Sequence, residues 1–308
     1  MIILGAGLAG CLAGVISGDA TILEAGSEIS NHHQALLRFT TDNISKVSGI
    51  PFKQVKVIKG IWYQGYQVSL SPRMANLYSK KVSGGFTPRS ILNLSPVDRY
   101  IAPDTFHKDL GQILAQRVLF NTKVRSISMK NIELESGELV NRANRPIIST
   151  MPMPILAGIL EEALPETLWS DPIHVIKMVV PKADIYQSLY YPSPDTVVYR
   201  ASMTGNKLII ESMYEPSKDE IFGVIESFGF SDIQMPTVYQ GYQTFGKLKP
   251  MDESARKSFM YKVSREYNIW SLGRFACWRN IMLDDVYEDM YKIRKMIGQH
   301  EYNIRLEA

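Results

Sequence analysis

Three glycines and one carboxylate near the start of the chain have the types and spacing of a phosphate-binding turn. Gly5, Gly7 and Gly10 lie in the run Gly5-Ala6-Gly7-Leu8-Ala9-Gly10, after the apolar Ile2-Ile3-Leu4 and before a run of small residues reaching Ile16. In such a run the first glycine permits a tight turn and the second lets the backbone approach a pyrophosphate. The third lets the helix pack closely on the strand. The helix start then presents N–H groups and the positive end of its dipole to the phosphates. A second apolar run, Ala20 to Leu23, ends on Glu24. A carboxylate there accepts hydrogen bonds from both hydroxyls of an adenosine ribose and repels a 2′-phosphate, which disfavours NADP. Strand, glycines, helix, second strand and acid arrive in order, and this order predicts a dinucleotide site over a βαβ turn that binds nothing.

The elements that must position this turn belong to an ordinary globular chain. It has 308 residues, 45% apolar and 21% charged, enough for two lobes with real cores. A net charge of +3 does not by itself argue for nucleic acid. Cys11 and Cys277 are the only cysteines, so neither a disulfide framework nor a metal cluster is expected. His32 and His33 are adjacent and point in different directions, which is wrong for a metal pair. No apolar run reaches about eighteen residues, so no membrane span is expected. A strand starting at residue 2 leaves no room for a signal peptide, and the expectation is a cytoplasmic protein.

Along the chain, residues 41–60 read as helix then strand, broken at Gly49-Ile50-Pro51, and 60–70 as aromatic and β-prone. A helix is predicted from Ser71 with Pro72 at its first position, and another beginning near Tyr100. A hairpin over 127–139 precedes a buried strand from Pro146 that ends in a proline-punctuated turn at 151–154. The stretches 173–180, 186–191, 196–202 and 207–213 read as an antiparallel meander, 220–228 as a helix, and 238–248 as strand and loop. Gly241, Gly246 and Lys247 approach a P-loop, but Leu248 replaces the magnesium-binding hydroxyl, so that reading is rejected. Ser271-Leu272-Gly273-Arg274 before a last helix over 286–297 either presents backbone N–H groups to an anion or polar ring edge, or is a plain β–α junction. Arg38 either passes near the pyrophosphate or is a solvated arginine.

Four segments, Ile2 to Glu24, Asn121 to Ile127, Ile147 to Pro152 and Ser271 to Trp278, together resemble the flavoprotein superfamily of amine oxidases, protoporphyrinogen oxidases and UDP-galactopyranose mutases. The resemblance implies an α/β fold. A Rossmann-like FAD-binding domain would be assembled from 1–45, 96–164 and 262–308. Interleaved with it would be an α+β substrate domain on an antiparallel sheet, from 46–95 and 165–261. It implies FAD as the cofactor. By position, Gly5, Ala6, Gly7, Leu8, Ala9 and Gly10 would hold the pyrophosphate, and Glu24 and Ala25 the adenosine ribose. Val124 would meet the adenine through its backbone, and Arg38 and Thr150 would line the cofactor. Gly273 and Arg274 would lie on the phosphate and ribityl side, with Met282 or Leu283 offering an N–H to the flavin pyrimidine oxygen. The chain departs from the pattern after Glu24, where Ala35-Leu36-Leu37-Arg38 replaces a second glycine-arginine motif.

The leading expectation is hydride transfer to flavin N5 from a carbon bearing nitrogen, in a small-molecule amine or amino-acid-like substrate. Tyr239, Tyr242 and Trp278 are the candidates for an aromatic-walled pocket. A second expectation is a nucleotide-linked substrate isomerised as in the mutases. Arg200 and Arg279 would then grip a diphosphate beside Tyr190, Tyr191 and Tyr199, although Arg200 reads equally as a strand residue pairing with a carboxylate. The third is a flavin-binding protein without turnover, or a flavoenzyme acting on a modified nucleic-acid base held by aromatic stacking and phosphate contacts.

Overall fold

The computed structural model describes residues 1–29, 37–86, 91–164, 168–183, 185–230 and 238–307, except the side chains of 238, 244, 245 and 300–307. His32 and His33 lie outside the described residues.

The first sheet is built by the short apolar runs. Strands β1 (Ile2–Leu4), β2 (Thr21–Leu23), β7 (Val118–Leu119), β11 (Ile147–Ser149) and β17 (Ile269–Ser271) are all parallel, in the order β17-β11-β1-β2-β7. Both faces of this sheet are covered, as continuous apolar strands require. On one face lie α1 (Leu8–Ser17), α2 (Asn43–Ser48), α4 (Phe106–Leu114) and α8 (Leu283–Glu307), around Ile3, Leu12, Ile22, Leu110 and Met290. On the other lie α5 (Met153–Ile159), α7 (Glu253–Tyr267) and a small antiparallel sheet of β8 (Val124–Ile127), β9 (Asn131–Leu134) and β10 (Leu139–Asn141), around Ile2, Leu4, Ile132, Leu156 and Val263. Two cations close the far end of α1. Arg117 Nη1 donates to the carbonyls of Gly14 (2.9 Å) and Gly18 (2.6 Å), and Arg294 Nη1 to that of Ile16 (3.0 Å), which suits the negative end of the helix dipole.

The second sheet contains β3 (Arg38–Phe39), β4 (Lys53–Tyr63), β6 (Val97–Ile101), β12 (Ser170–Val179), β13 (Tyr186–Tyr190), β14 (Val198–Thr204), β15 (Lys207–Ser212) and β16 (Val238–Leu248). Its order is β16-β12-β15-β14-β13-β4-β6-β3, with β5 (Tyr66–Val68) added to β4 through a turn at Gln64-Gly65 whose positive φ values match a tight hairpin. One face packs on α6 (Lys218–Ser227) through Ile176, Leu189, Ala201, Met203 and Ile210. The other packs on α3 (Pro72–Ser83) through Ile61, Val175, Tyr199 and Ile209. Both helices start on serine caps, Ser71 accepting from the N–H of Met74 and Ser217 forming a full capping box with Glu220. Lys81 pins α3 to the sheet by donating to the carbonyls of Tyr191 (2.8 Å), Ser193 (2.7 Å) and Val198 (2.5 Å).

The α/β class and the two-sheet plan are as expected, with local corrections. β4 and β13 pair in parallel, because much of the other lobe is inserted between them and so long a crossover permits that direction. β3 and β6, read as part of the nucleotide lobe, hydrogen-bond into the edge of the large sheet. The helix expected from Tyr100 starts at Phe106, since Tyr100-Ile101 pairs with β4 and Pro103 disfavours helix just before it. The turn at 151–154 opens α5, with Pro154 in its first turn, and 238–248 is one strand rather than strand and loop.

Candidate functional site: a dinucleotide cradle

The glycine turn is held rigid by its neighbours. Gly5 has φ of +93°, and a Cβ there would lie 2.7 Å from Thr150 Oγ1. A Cβ on Gly10 would lie 1.9 Å from the Gly5 carbonyl oxygen, so α1 packs against the end of β1 as the third glycine of the motif requires. Gly7 differs. A Cβ there would meet nothing within 4 Å, and this glycine faces open space at the helix start. No side chain caps α1 and its first turn carries no acid, so its N–H groups and dipole remain available to an anion. Open space at the approach glycine, before an uncapped helix, fits a pyrophosphate.

Glu24 fastens the turn from the side. Its Oε2 accepts from the N–H of Ala6 (2.6 Å) and its Oε1 from the N–H of Gly26 (2.8 Å). Each carboxylate oxygen keeps a further acceptor direction, which is what ribose hydroxyls need. Ala25 is exposed beside it. The Glu24 carbonyl accepts from Thr122, through the backbone N–H (2.9 Å) and Oγ1 (3.1 Å), which brings the segment leading to Val124 to the end of β2. Thr150 works behind the turn, where its Oγ1 donates to the Leu4 carbonyl (2.8 Å) while the Thr150 N–H donates to the same oxygen (3.0 Å).

The C-terminal segment closes on the same place. Leu272 N–H donates to the Ser149 carbonyl (2.9 Å), carrying β17 into Gly273. Gly273 has φ of +96°, and a Cβ there would lie 2.9 Å from that of Ala9, so this segment rests on the start of α1. Arg274 Nη2 donates to the carbonyl of Gly246 (2.8 Å) and to Asn280 (3.0 Å), tying the end of β16 to the junction. The start of α8 is closed by its own acids. The Met282 N–H donates to Asp285 (2.7 Å), while Asp284 accepts from the N–H groups of Thr40 and Thr41 (3.1 Å). Of the two N–H groups expected to face a flavin oxygen, that of Met282 is thus engaged within the chain.

Other candidates go elsewhere. Arg38 is not solvated. Its Nη1 donates to Ser188 (2.8 Å) and its Nη2 to Thr204 (2.8 Å) and the Met203 carbonyl (3.0 Å), across the curl of the large sheet. Burial, with Arg200 nearby, pushes its pKa down to about 10. Arg200 forms a two-pronged pair with Glu211 on the neighbouring strand, one contact being Nη2 to Oε1 at 2.7 Å, and Tyr199 Oη adds a bond to the same carboxylate (3.2 Å). The strand-pairing reading of Arg200 is the one the structure shows. The pair with Arg200 outweighs burial and holds the Glu211 carboxyl below its ordinary range. Arg279 pairs with Asp289 (2.6 Å) and Tyr191 with Ser227 (2.6 Å), so the proposed diphosphate grip is not assembled. Tyr190 stacks edge-on against Tyr78.

Nor do the three aromatic candidates form one wall. Trp278 is 4% exposed and donates its indole N–H to the Lys249 carbonyl (3.2 Å), its φ of +45° turning the chain so that the ring enters the core beside α7. Tyr239 and Tyr242 are exposed on β16, opposite Lys177 and His174, and three residues apart they point to opposite faces of the sheet. Cys11 and Cys277 are buried, which pushes their thiols up to about 12 and about 11. A fully buried Arg142, which the sequence did not flag, donates to the carbonyls of Arg145 (2.8 Å), Ser128 (2.9 Å), Tyr267 and Asn268 (3.1 Å), and locks β9–β10 to the α7–β17 link. No described helix is long and apolar enough to cross a membrane.

This combination, a parallel sheet covered on both faces beside a curled mixed sheet, is a fold that the chain shares with solved oxidase structures. A structure assigned as a protoporphyrinogen oxidase from Exiguobacterium superposes with a TM-score of 0.61, covering 95% of this chain and 98% of that one at 10% identity. A CLA-producing fatty acid isomerase from P. acnes gives 0.63, covering 97% of each chain at 11% identity. A triple mutant of putrescine oxidase with redesigned cofactor binding gives 0.61, covering 97% of this chain and 98% of that one at 11% identity. At these identities the likeness is one of fold. No family model matches the sequence, and no curated protein matches it.

Proposed function

We propose that the chain is an FAD-dependent oxidoreductase that oxidises a carbon–nitrogen bond in an amine or amino-acid-like substrate. The cradle carries this reading: an open Gly7 before an uncapped helix, with Gly273 laid on that helix, in a fold shared with putrescine oxidase. FAD bound there would supply the hydride acceptor.

The chain's own residues hold and orient. Gly5 to Gly10 would hold the pyrophosphate, with Glu24 and Ala25 on the ribose side and the Val124 backbone on the adenine side. Gly273, Arg274 and Leu283 would stand toward the ring end. Arg274 on Gly246, and Asp284 on Thr40 and Thr41, join the two lobes there. No acid or base is assigned to the oxidation, because a neutral amine can give up hydride without one. The substrate amine must therefore arrive deprotonated.

The test is anaerobic mixing of the FAD-loaded protein with a panel of primary and secondary amines, including amino acids. Bleaching of the flavin by at least one member supports the reading. An FAD-loaded protein that no amine bleaches, yet which interconverts a nucleotide sugar once reduced, would favour the mutase reading instead.

A further inference from the structure

The large sheet is charged unevenly, and its pairing register shows where. In β4 the alternate residues Val55, Val57 and Lys59 share one face with Ser188 of β13, which pairs beside Lys59, and with Arg99 of β6, which pairs opposite Val55. Ser188 is the residue that Arg38 reaches, so Arg38, Lys59 and Arg99 stand on the same inner face of the curl. Arg200 belongs to it too, paired opposite Tyr190. The helix α3 packs on the apolar end of this face, through Ile61, Val175, Tyr199 and Ile209.

These cations are poorly neutralised. Arg38 makes its hydrogen bonds to two hydroxyls and a carbonyl, and its buried Nε has no partner among the described residues. Arg99 donates to the carbonyl of its neighbour Asp98 (2.8 Å). The carboxylate that bears on Arg38 is Glu211, and Arg200 already holds it in two-pronged contact. Among the described residues no carboxylate forms an ion pair with Arg38, Lys59 or Arg99. Arg99 bears on both Arg38 and Lys59, and like charges gathered on one face repel one another unless an anion joins them.

We propose that this inner face is an oxyanion site, and that the molecule presented to the flavin carries a phosphate ester held by Arg38, Lys59 and Arg99. Phosphate fits better than carboxylate because two guanidinium groups and an ammonium share this face, bringing more positive charge than one carboxylate balances. The site lies near the expected ring end of the cofactor: Arg38 stands two residues before Thr40, whose N–H is held by Asp284 at the start of α8. The inference rests on the flavin reading for its meaning, but not for its measurement.

The experiment is calorimetric titration of inorganic pyrophosphate, and in parallel citrate, into the FAD-saturated protein at low salt. Expected is saturable binding of one pyrophosphate per chain, weakened about tenfold or more by Arg99→Gln and by Lys59→Gln, as loss of a charge-assisted contact implies. Lys56→Gln, on the opposite face of the same strand, should leave it unchanged. Arg38→Gln should abolish it, and if that variant does not fold, the half-exposed Arg99 and Lys59 still decide. Absence of saturable binding, equal sensitivity to Lys56→Gln, or citrate binding as tight as pyrophosphate would overturn the site. FAD uptake is scored separately by its visible spectrum. A protein that takes up FAD but no pyrophosphate fails this inference alone. One that takes up no FAD, yet binds pyrophosphate in an Arg99-dependent way, fails the flavin reading alone.

Discussion

Gly273 and Ala9 touch across nearly the whole length of the chain: a Cβ on Gly273 would come within 2.9 Å of the Ala9 Cβ, and its φ of +96° is one that side chains rarely adopt. The last strand of the parallel sheet can reach the first helix only because this residue has no side chain. Gly273→Ala should therefore cost about 1–3 kcal/mol through strain and overpacking and lower FAD retention with it. Thermal unfolding with and without added FAD measures both, and an unchanged melting temperature would contradict the close approach.

Gly7 and Gly10 separate folding from binding. Gly10→Ala must push a methyl into the Gly5 carbonyl and should destabilise the chain by about 3 kcal/mol or more, above the usual overpacking range. Gly7→Ala meets open space with φ of −66°, so the chain should fold normally and lose affinity for FAD. The check is paired: melting temperature for the fold, dialysis against FAD for the site. Normal FAD affinity in Gly7→Ala would mean that the space in front of it is not the pyrophosphate site.

The Arg200–Glu211 pair predicts an acid limb in stability. The folded pKa of Glu211 is depressed by Arg200, so its contribution is fully present above the ordinary glutamate pKa of about 4.3 and fades as pH falls through the lower folded value. Glu211→Gln should flatten that limb and lower stability by about 2 kcal/mol near neutrality, less than for a fully buried pair because Arg200 is 37% exposed. Urea unfolding from pH 3 to 7 gives the comparison, and a limb of the same slope in the variant would show that other carboxylates produce it.

Burial raises both thiols far above neutral pH, so neither is a thiolate at pH 8. Iodoacetamide should label neither Cys11 nor Cys277 in the folded protein at that pH and both in urea. Mass spectrometry of intact protein reads the outcome directly.

The cradle was legible because its logic is local. Gly5, Gly7, Gly10 and Glu24 meet within one βαβ unit, where Gly10 packs on Gly5 and Glu24 bonds Ala6, and Gly273 with Arg274 follows a strand that spacing alone can suggest. What depended on side-chain direction was not legible. Trp278 looks like a pocket wall until its positive φ turns it into the core, and Arg38 reads as either a pyrophosphate neighbour or a solvated arginine until the sheet curls and Ser188 meets it. Lys59 and Arg99 carry no motif; the one trace they leave is parity along β4 and β6, which has meaning only once the register is known. Arg142 went unnoticed because a fully buried arginine satisfied by carbonyls needs no carboxylate nearby in sequence.

The central claim is that the glycine cradle holds FAD, and the visible absorption spectrum of the purified protein tests it most directly, with mass spectrometry of what heat releases. Expected are flavin bands near about 375 and 450 nm and the mass of FAD, either as purified or after incubation with FAD, as flavin redox chemistry requires. A colourless protein that takes up no added FAD would contradict it, and would leave the open Gly7 and Glu24 as a site for another adenine dinucleotide.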